Sequence, residues 1–395
     1  MRTVIKTILI GVVLSASAGQ ALAYSPDNAA VLYYKAFMLL EEPNDSVKKM
    51  LRDLKDGKIG LNEQIWQYVE RNRKVINEIK TAAEIKTCDW GLDFSEGFSL
   101  EIPHLAKCRQ MAYILAAEAK ILSEKGDYRT ALERCITIQN MGVHVGDDIL
   151  ISYLVGTAVI NLANKSIADI LSEMPEDLET LVWLQIQMTK VSSRPLSVEA
   201  ALAKETESLL REMRRERIGI LIEQLGVENP SDPNSDSNSN VIEQLLRISQ
   251  EDETFFEKSR DYYTSHTAAV QAAFELPYSQ AHEELIRLGE KISEDAKEKH
   301  EALLTHIICP PTTKINSIRA ARETFFNAIK SAIGIYIIKA KTGKLPGELP
   351  AGLPKDMFSG KDFLYEKTDA SFTLTGQGKD LDKDIVQKYE FKVAK

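Results

Sequence analysis

The sequence predicts a mainly α-helical protein that ends in a small antiparallel β-sheet, either a hairpin or three strands. Apolar residues recur at helical spacing along most of the chain. Gly, Pro and aromatic residues then crowd together in residues 335–367, where the helical period ends. Beyond them, Phe372 and Leu374 alternate with polar neighbours, which is the pattern of a half-buried strand.

The composition is that of a globular protein, with 395 residues of which 44% are hydrophobic and 27% charged. The formal net charge of −9 argues against a nucleic-acid partner, because such binding depends on Lys and Arg contacts with phosphates. The same charge argues against docking on anionic lipid.

The N-terminal residues 1–23 have the pattern of a Sec-type signal peptide. Arg2 and Lys6 form the positive start, residues 7–18 are apolar, and the small residues ending at Ala23 fit a cleavage site. We therefore expect cleavage after Ala23 and a periplasmic or secreted protein, with an uncleaved anchor as the alternative. The mature chain would start at Tyr24 and carry a charge of −9 − 2 = −11. We expect no stable transmembrane anchor after cleavage, since no later stretch reaches about 18 apolar residues.

Residues 24–226 form the predicted helical domain. Asn62 opens one long amphipathic helix over residues 63–86. Residues 87–103 hold three large aromatic side chains without a helical period, so they predict a loop that either covers a groove or fills the core. Residues 147–174 are apolar on several faces and predict the central buried helix, in which Gly156 allows close packing.

The second half of the chain begins with a predicted flexible linker, residues 227–240, which is rich in Pro, Ser and Asn. Residues 241–312 form a helical segment interrupted near Pro277. Residues 313–395 form a last unit, in which a long helix ends at Gly343 and a small β-sheet follows. An isolated hairpin is marginal in water, so the sheet needs the helix behind it.

A helical hairpin is predicted around Gly126, with Ala117 and Leu122 in its first helix, Tyr128 at its turn and Ala131 in its second helix. In this pattern, residues 112–140 resemble a single degenerate tetratricopeptide hairpin. No clean second copy follows at an offset of about 34 residues. The body is therefore predicted to be a tetratricopeptide-like or irregular helical array, whose concave surface would suit a protein partner.

The C-terminal unit carries several special residues in a fixed order. They are Tyr336, Thr342, Gly343, Pro346, Asp356, Phe358, Gly360, Phe363, Tyr365, Phe372, Gly376, Gly378 and Asp380. In this order the segment resembles the C-terminal module of type II secretion major pseudopilins, which is also found in uncharacterised exported bacterial proteins. Pseudopilins carry a methylated N-terminal helix directly before this module, which this chain lacks, so we do not infer a pilus subunit.

Pseudopilins hold calcium in the terminal loop, so the resemblance implies a calcium site in this chain. The matching carboxylates are Asp380, Asp382 and Asp384, and alternating carboxylates suit a hard cation. The alternative is a solvated acidic turn. No other metal and no organic cofactor is expected.

The four cysteines, Cys88, Cys108, Cys135 and Cys309, would lie in an oxidising compartment after export. Their spacing does not fit a zinc site. In the predicted hairpin Cys108 and Cys135 are about ten residues apart along the axis, roughly 15 Å, which is too far for a disulfide. Cys88 and Cys309 are freer to pair, and the alternative is that most of the four are buried thiols.

The sequence contains no recognisable catalytic constellation. Ser46 and Lys49 fit the S-x-x-K motif of penicillin-recognising enzymes, and residues 341–343 fit their K-T-G motif, but those enzymes need a strand where a helix end is predicted here. The six histidines include no ligand-spaced pair. His144, Asp147 and Asp148 could hold a metal or a proton relay, but a helix junction capped by Asp147 is the favoured interpretation.

These observations favour an exported, non-catalytic interaction or scaffold protein of the bacterial cell envelope. The alternative is an extracytoplasmic α-helical enzyme, hydrolase-like, with an unrecognised acidic site. A cleft with converging carboxylates or histidines of strongly perturbed pKa would favour the enzyme. A broad apolar groove without such groups would favour the binding protein.

Overall fold

The computed structural model describes residues 27–224 and 238–393. Within them, fifteen α-helices precede three strands, so the mainly α class with a small C-terminal sheet is confirmed. The helices are α1 (Ala29–Leu39), α2 (Asp45–Lys55), α3 (Glu63–Arg71), α4 (Arg73–Glu84), α5 (His104–Glu124), α6 (Tyr128–Gly146), α7 (Leu150–Glu173), α8 (Leu178–Ser192), α9 (Val198–Glu212), α10 (Ile218–Gln224), α11 (Asn238–Glu251), α12 (Phe255–Phe274), α13 (Tyr278–Glu298), α14 (Ala302–Ile308) and α15 (Thr312–Thr342). The strands are β1 (Leu364–Lys367), β2 (Ser371–Asp380) and β3 (Ile385–Lys392).

Two predicted segments fall partly or wholly outside the described residues. The signal peptide, residues 1–23, lies outside them, and so do residues 227–237 of the predicted linker. The last three residues of that linker begin α11, so helical structure starts at Asn238 rather than after residue 240.

Helices α5, α6 and α7 form the centre of the helical body. Gly126 follows α5 with a φ of 79°, a conformation that favours glycine. The Asp127 carboxylate then accepts the Thr130 N–H at 3.2 Å and begins α6. The predicted antiparallel pair and its turn are confirmed. Helices α6 and α7 approach so closely that a Cβ atom on Gly156 would lie 2.5 Å from the Gly142 carbonyl oxygen.

The prediction of a single helix over residues 63–86 is wrong, because the helix is interrupted at Asn72. Asn72 is 1% exposed, and its side-chain oxygen accepts the Glu41 N–H at 3.1 Å. Its side-chain nitrogen donates to the Tyr68 carbonyl at 2.9 Å. Such side-chain bonds to the backbone compete with helical hydrogen bonds, so the chain forms α3 and α4 with a break between them.

Helix α7 is long and apolar enough to cross a membrane by length and composition alone. However, 56% of its apolar window is buried, and it packs against α5, α6, α9, α15 and β3. A mostly buried helix of a protein core meets the same criterion. The prediction of a central buried helix in this region is confirmed.

The sheet has the order β1-β2-β3 with antiparallel neighbours. Phe372 and Leu374 of β2 are buried, as their alternation predicts. The Thr368 N–H donates to the Ser371 carbonyl at 2.8 Å and closes the turn between β1 and β2. The register of β2 against β3 shifts between Thr375 and Lys379, which marks a bulge.

Helix α15 joins this sheet to the helical body. It ends at Gly343, whose φ of 74° gives the predicted left-handed helix end. Ile329 and Ile333 share one hydrophobic cluster with Leu184 of α8 and Leu374 of β2. The sheet is therefore covered by α15 on its apolar side, and α15 is itself covered by the body.

Candidate functional sites

The aromatic loop of residues 87–103 packs into the core through Trp90, which is 4% exposed. Its ring stacks on His104 with centroids 4.4 Å apart, and its Nε1 donates to the His144 carbonyl at 2.9 Å. The Tyr33 hydroxyl lies 3.0 Å from Nδ1 of His144. Trp90 therefore fills the core, as one of the two interpretations of this loop predicts, while Gly97, Leu100 and Ile102 of the same loop border a cavity of about 510 Å³.

Both histidines of this cluster are neutral. Burial lowers the pKa of His104 to about 4. Burial, with a smaller contribution from the Arg194 charge, lowers the pKa of His144 to about 4. Each of the two side chains is at most 2% exposed. A general base must reach the proton that it removes, so these enclosed imidazoles are structural groups.

The prediction that Asp147 caps the junction before α7 is wrong. The N-cap position of α7 is Ile149, which makes no side-chain cap. Instead, the Leu150 N–H donates to the Glu205 carboxylate of α9 at 2.9 Å. Burial raises the pKa of Glu205. The role of Glu205 has no local signal in the sequence, because a cap supplied by a distant helix follows no spacing rule.

All four cysteines are free thiols. Cys108 and Cys135 are fully buried. Burial raises the pKa of Cys88 to about 12 and that of Cys309 to about 11, so both are protonated and unreactive at neutral pH. The sulfur of Cys309 lies 3.5 Å from Nε2 of His266, whose pKa burial lowers to about 4. This pair is therefore a thiol beside a neutral imidazole.

The two fragments of the penicillin-recognising motif lie in helices. Ser46 and Lys49 belong to α2, and Lys341 belongs to the last turn of α15. The K-T-G sequence is therefore a helix end, as predicted, and not a strand lining a site.

The carboxylate of Asp356 is a buried junction between α15, the turn before β1 and the bulge of β2. Asp356 has no exposed surface, and both of its oxygens accept hydrogen bonds. Oδ1 accepts from the Phe358 N–H at 3.1 Å and the Thr324 hydroxyl at 3.3 Å. Oδ2 accepts from the Ser359 hydroxyl at 2.7 Å, the Gln377 N–H at 3.0 Å and the Gly378 N–H at 2.8 Å. The sequence marks Asp356 as a motif residue but does not indicate this structural role.

The three predicted calcium ligands lie in and beside the turn between β2 and β3. Asp380 is buried, and its Oδ1 accepts the Ser317 hydroxyl at 2.7 Å and the Asp382 N–H at 3.1 Å. The Lys383 ammonium lies 3.7 Å from its Oδ2. Asp382 and Asp384 are exposed. Across residues 27–224 and 238–393, no group of three or more His, Cys, Asp or Glu is arranged to hold a metal ion, and the calcium site stays a prediction.

Helix α8 presents an apolar stripe to solvent, which we call the α8 stripe. It consists of Leu178, Val182 and Ile186, which are 38%, 37% and 49% exposed. Residues four apart share one face of a helix. Ile186 also borders a groove of about 490 Å³ between α8, α15 and the chain after α15. The groove is lined by apolar residues and by polar residues, which are Met188, Ile333, Leu353 and Pro354 and Gln185, Thr189, Lys190 and Lys330.

Comparison of the chain with family models, with curated proteins and with solved structures finds no match. The resemblances to pseudopilins and to a tetratricopeptide hairpin therefore rest on the sequence motifs alone.

Proposed function

We propose that this protein is an exported, non-catalytic interaction protein of the bacterial cell envelope that binds a protein partner through α8. The α8 stripe beside its groove is the observation that carries this proposal. Covering apolar surface contributes roughly 25 cal/mol per Å² removed from water. Protein interfaces also combine apolar and polar residues, as the lining of this groove does.

The state of the histidines and cysteines supports binding over catalysis. The histidines with strongly lowered pKa, His104, His144 and His266, are buried rather than gathered in a cleft. The partly exposed thiols, Cys88 and Cys309, have raised pKa values. Catalytic acids and bases must reach the substrate and must have a pKa suited to the working pH. These histidines and cysteines lack one or both properties.

Export is supported by the signal-peptide pattern of residues 1–23. A place in the cell envelope is supported by the resemblance of the C-terminal unit to the pseudopilin module. The tetratricopeptide-like hairpin supports the binding of protein, because stacked helical hairpins present extended binding surfaces.

The calcium proposal for Asp380, Asp382 and Asp384 has a separate test. A ligand that binds only the folded protein raises its melting temperature. Bound calcium would therefore raise the melting temperature in a titration from chelator to millimolar calcium. An unchanged melting temperature would reject the proposal.

The binding proposal is tested by affinity capture from solubilised envelope with three forms of the protein. Ile186→Asp places a charge in the α8 stripe. Ile286→Asp makes the same change on α13, at a residue that is 43% exposed. We expect one envelope protein to be enriched by the wild type and by Ile286→Asp, and at least tenfold less by Ile186→Asp. Recovery of no partner, together with turnover in a substrate screen, would favour the enzyme instead.

A further inference from the structure

A second cavity, which shares Lys330 with the α8 groove, lies where α6, α7, the end of α8 and α15 meet. Its volume is about 280 Å³. Val143, Ile160, Leu196 and Phe326 give it apolar walls, and Met357 stands at its edge. A cavity of about 150 Å³ is enough to hold benzene, so this one accommodates an apolar body of roughly twice that size.

Three cationic side chains line this cavity, against a single carboxylate. The cations are Arg194, Arg322 and Lys330, and the carboxylate is Glu323. Their sum is +3 − 1 = +2, in a chain whose formal net charge is −9. Because charges in a partly enclosed, apolar setting are screened less than at the surface, this excess attracts an anion to the cavity.

The contacts of these cations leave their charge incompletely neutralised. Arg322 is 6% exposed, and its Nη2 donates to the Glu323 carboxylate at 2.9 Å and to the Leu196 carbonyl at 3.3 Å. Its Nη1 is buried without a hydrogen-bond partner. Arg194 donates to the Lys86 carbonyl at 2.6 Å, and Lys330 donates to the Ser192 hydroxyl at 3.2 Å. Within the described part of the chain, neither of these two cations forms a salt bridge.

We infer that this cavity binds a small amphipathic carboxylate. Its anionic head lies among Arg322, Arg194 and Lys330, because guanidinium groups match the planar geometry of a carboxylate. Its apolar body lies against Phe326 and Leu196. Ligand sites are typically apolar cavities with a few polar groups that fix orientation, and this cavity has that composition. Lys330 also borders the α8 groove, but Arg194, Arg322, Leu196 and Phe326 do not, so the inference does not require the proposed α8 interface.

Octanoate is a suitable probe, with octanol and inorganic phosphate as matched controls. Octanol keeps the apolar body without the charge, and phosphate keeps the charge without the body. Titration calorimetry on the purified protein is expected to give octanoate a Kd of about 1 mM or less, and to show binding of either control at least tenfold weaker. Equal binding of octanol, equal binding of phosphate, or no binding of octanoate would each overturn the inference.

Two test variants, a control variant and a methionine NMR signal test whether octanoate binds in this cavity. Lys330→Met and Arg194→Gln are each expected to weaken octanoate binding at least fivefold. Lys190→Met removes a charge that borders the α8 groove but not this cavity, and it is expected to leave binding unchanged. With ¹³C-methyl methionine, the Met357 resonance, assigned with Met357→Leu, is expected to shift on addition of octanoate. An unshifted Met357 resonance, or a loss of affinity only in Lys190→Met, would show that octanoate binds elsewhere.

Discussion

At the residue scale, the buried polar side chains of Asp356 and His104 differ in whether their polar atoms have hydrogen-bond partners. Asp356 accepts five hydrogen bonds, whereas both ring nitrogens of His104 are buried without a hydrogen-bond partner. A buried polar group without a partner destabilises the fold, and removal of a fully bonded acceptor leaves several donors unpaired. The two positions therefore respond in opposite ways to substitution.

Replacing His104 by Phe is expected to reduce the pH dependence of stability. The folded pKa of about 4 lies below the usual value of about 6.5, so the unfolded chain binds a proton first as pH falls. This histidine therefore costs stability as pH falls from about 6.5 toward 4, by up to about 3 kcal/mol. Urea denaturation at pH 7.5 and pH 5.0 measures the loss.

We expect His104→Phe to match or exceed wild-type stability at pH 7.5, because Phe keeps the stacking on Trp90 without unpaired nitrogens. It should also lose less stability at pH 5.0. The control His300→Phe changes an exposed histidine and should keep the wild-type pH dependence. A His104→Phe profile identical to that of the wild type would contradict this account.

Replacing Asp356 by Ala is expected to lower the free energy of unfolding by about 3 kcal/mol or more. The substitution leaves the backbone N–H groups of Phe358, Gln377 and Gly378 without their acceptor. Asp362→Ala is the matched control at an exposed carboxylate, with an expected change within about 0.5 kcal/mol. Equal stabilities of the two variants in urea denaturation would show that Asp356 is not a structural junction.

At the scale of elements, the close contact between α6 and α7 depends on glycine. A Cβ atom at position 156 would lie 2.5 Å from the Gly142 carbonyl oxygen and 2.7 Å from the Gly146 Cα. Both contacts are with backbone atoms, which a change of side-chain rotamer does not relieve. The helices must therefore separate to admit even one methyl group.

Gly156→Ala is thus expected to destabilise the fold by about 1–3 kcal/mol through overpacking. Gly289→Ala on α13 is the matched control, because a Cβ atom there meets nothing within 4 Å. That control should stabilise the protein by about 0.5–1 kcal/mol, since alanine is the better helix former. Thermal or urea unfolding compares the two, and destabilisation of similar size in both would contradict the close-contact account.

Local patterns in the sequence predict those elements whose ends are set by neighbouring residues. Asp127 and Gly126 set the turn of the central hairpin, and Gly343 ends α15. The patterns fail where a distant group decides the structure, as with the break at Asn72 and the cap supplied by Glu205.

The α8 stripe was not predicted for the same reason. The sequence shows apolar residues at positions 178, 182 and 186, but helical periodicity cannot tell which apolar positions the rest of the fold leaves uncovered. The cationic cavity was also missed, because Arg194 and Arg322 are brought together only by the packing of α15 against the end of α8.

At the scale of the whole molecule, the proposed export would determine where a partner meets the protein. Mass spectrometry of the protein recovered from the periplasm or medium is expected to give a chain that starts at Tyr24. A chain that keeps residue 1 and fractionates with the cytoplasm would contradict export.

Free iodoacetamide-reactive thiols should number four after denaturation, since all four cysteines are unpaired in the structure.

In-cell photo-crosslinking at residue 186 tests most directly the claim that this is an interaction protein that uses α8. A photoreactive amino acid is placed at position 186 or, as control, at position 286, because both native isoleucines are similarly exposed, at 49% and 43%. We expect a discrete crosslink to one envelope protein from position 186 and none from position 286. No crosslink from position 186, or the same products from both positions, would contradict it.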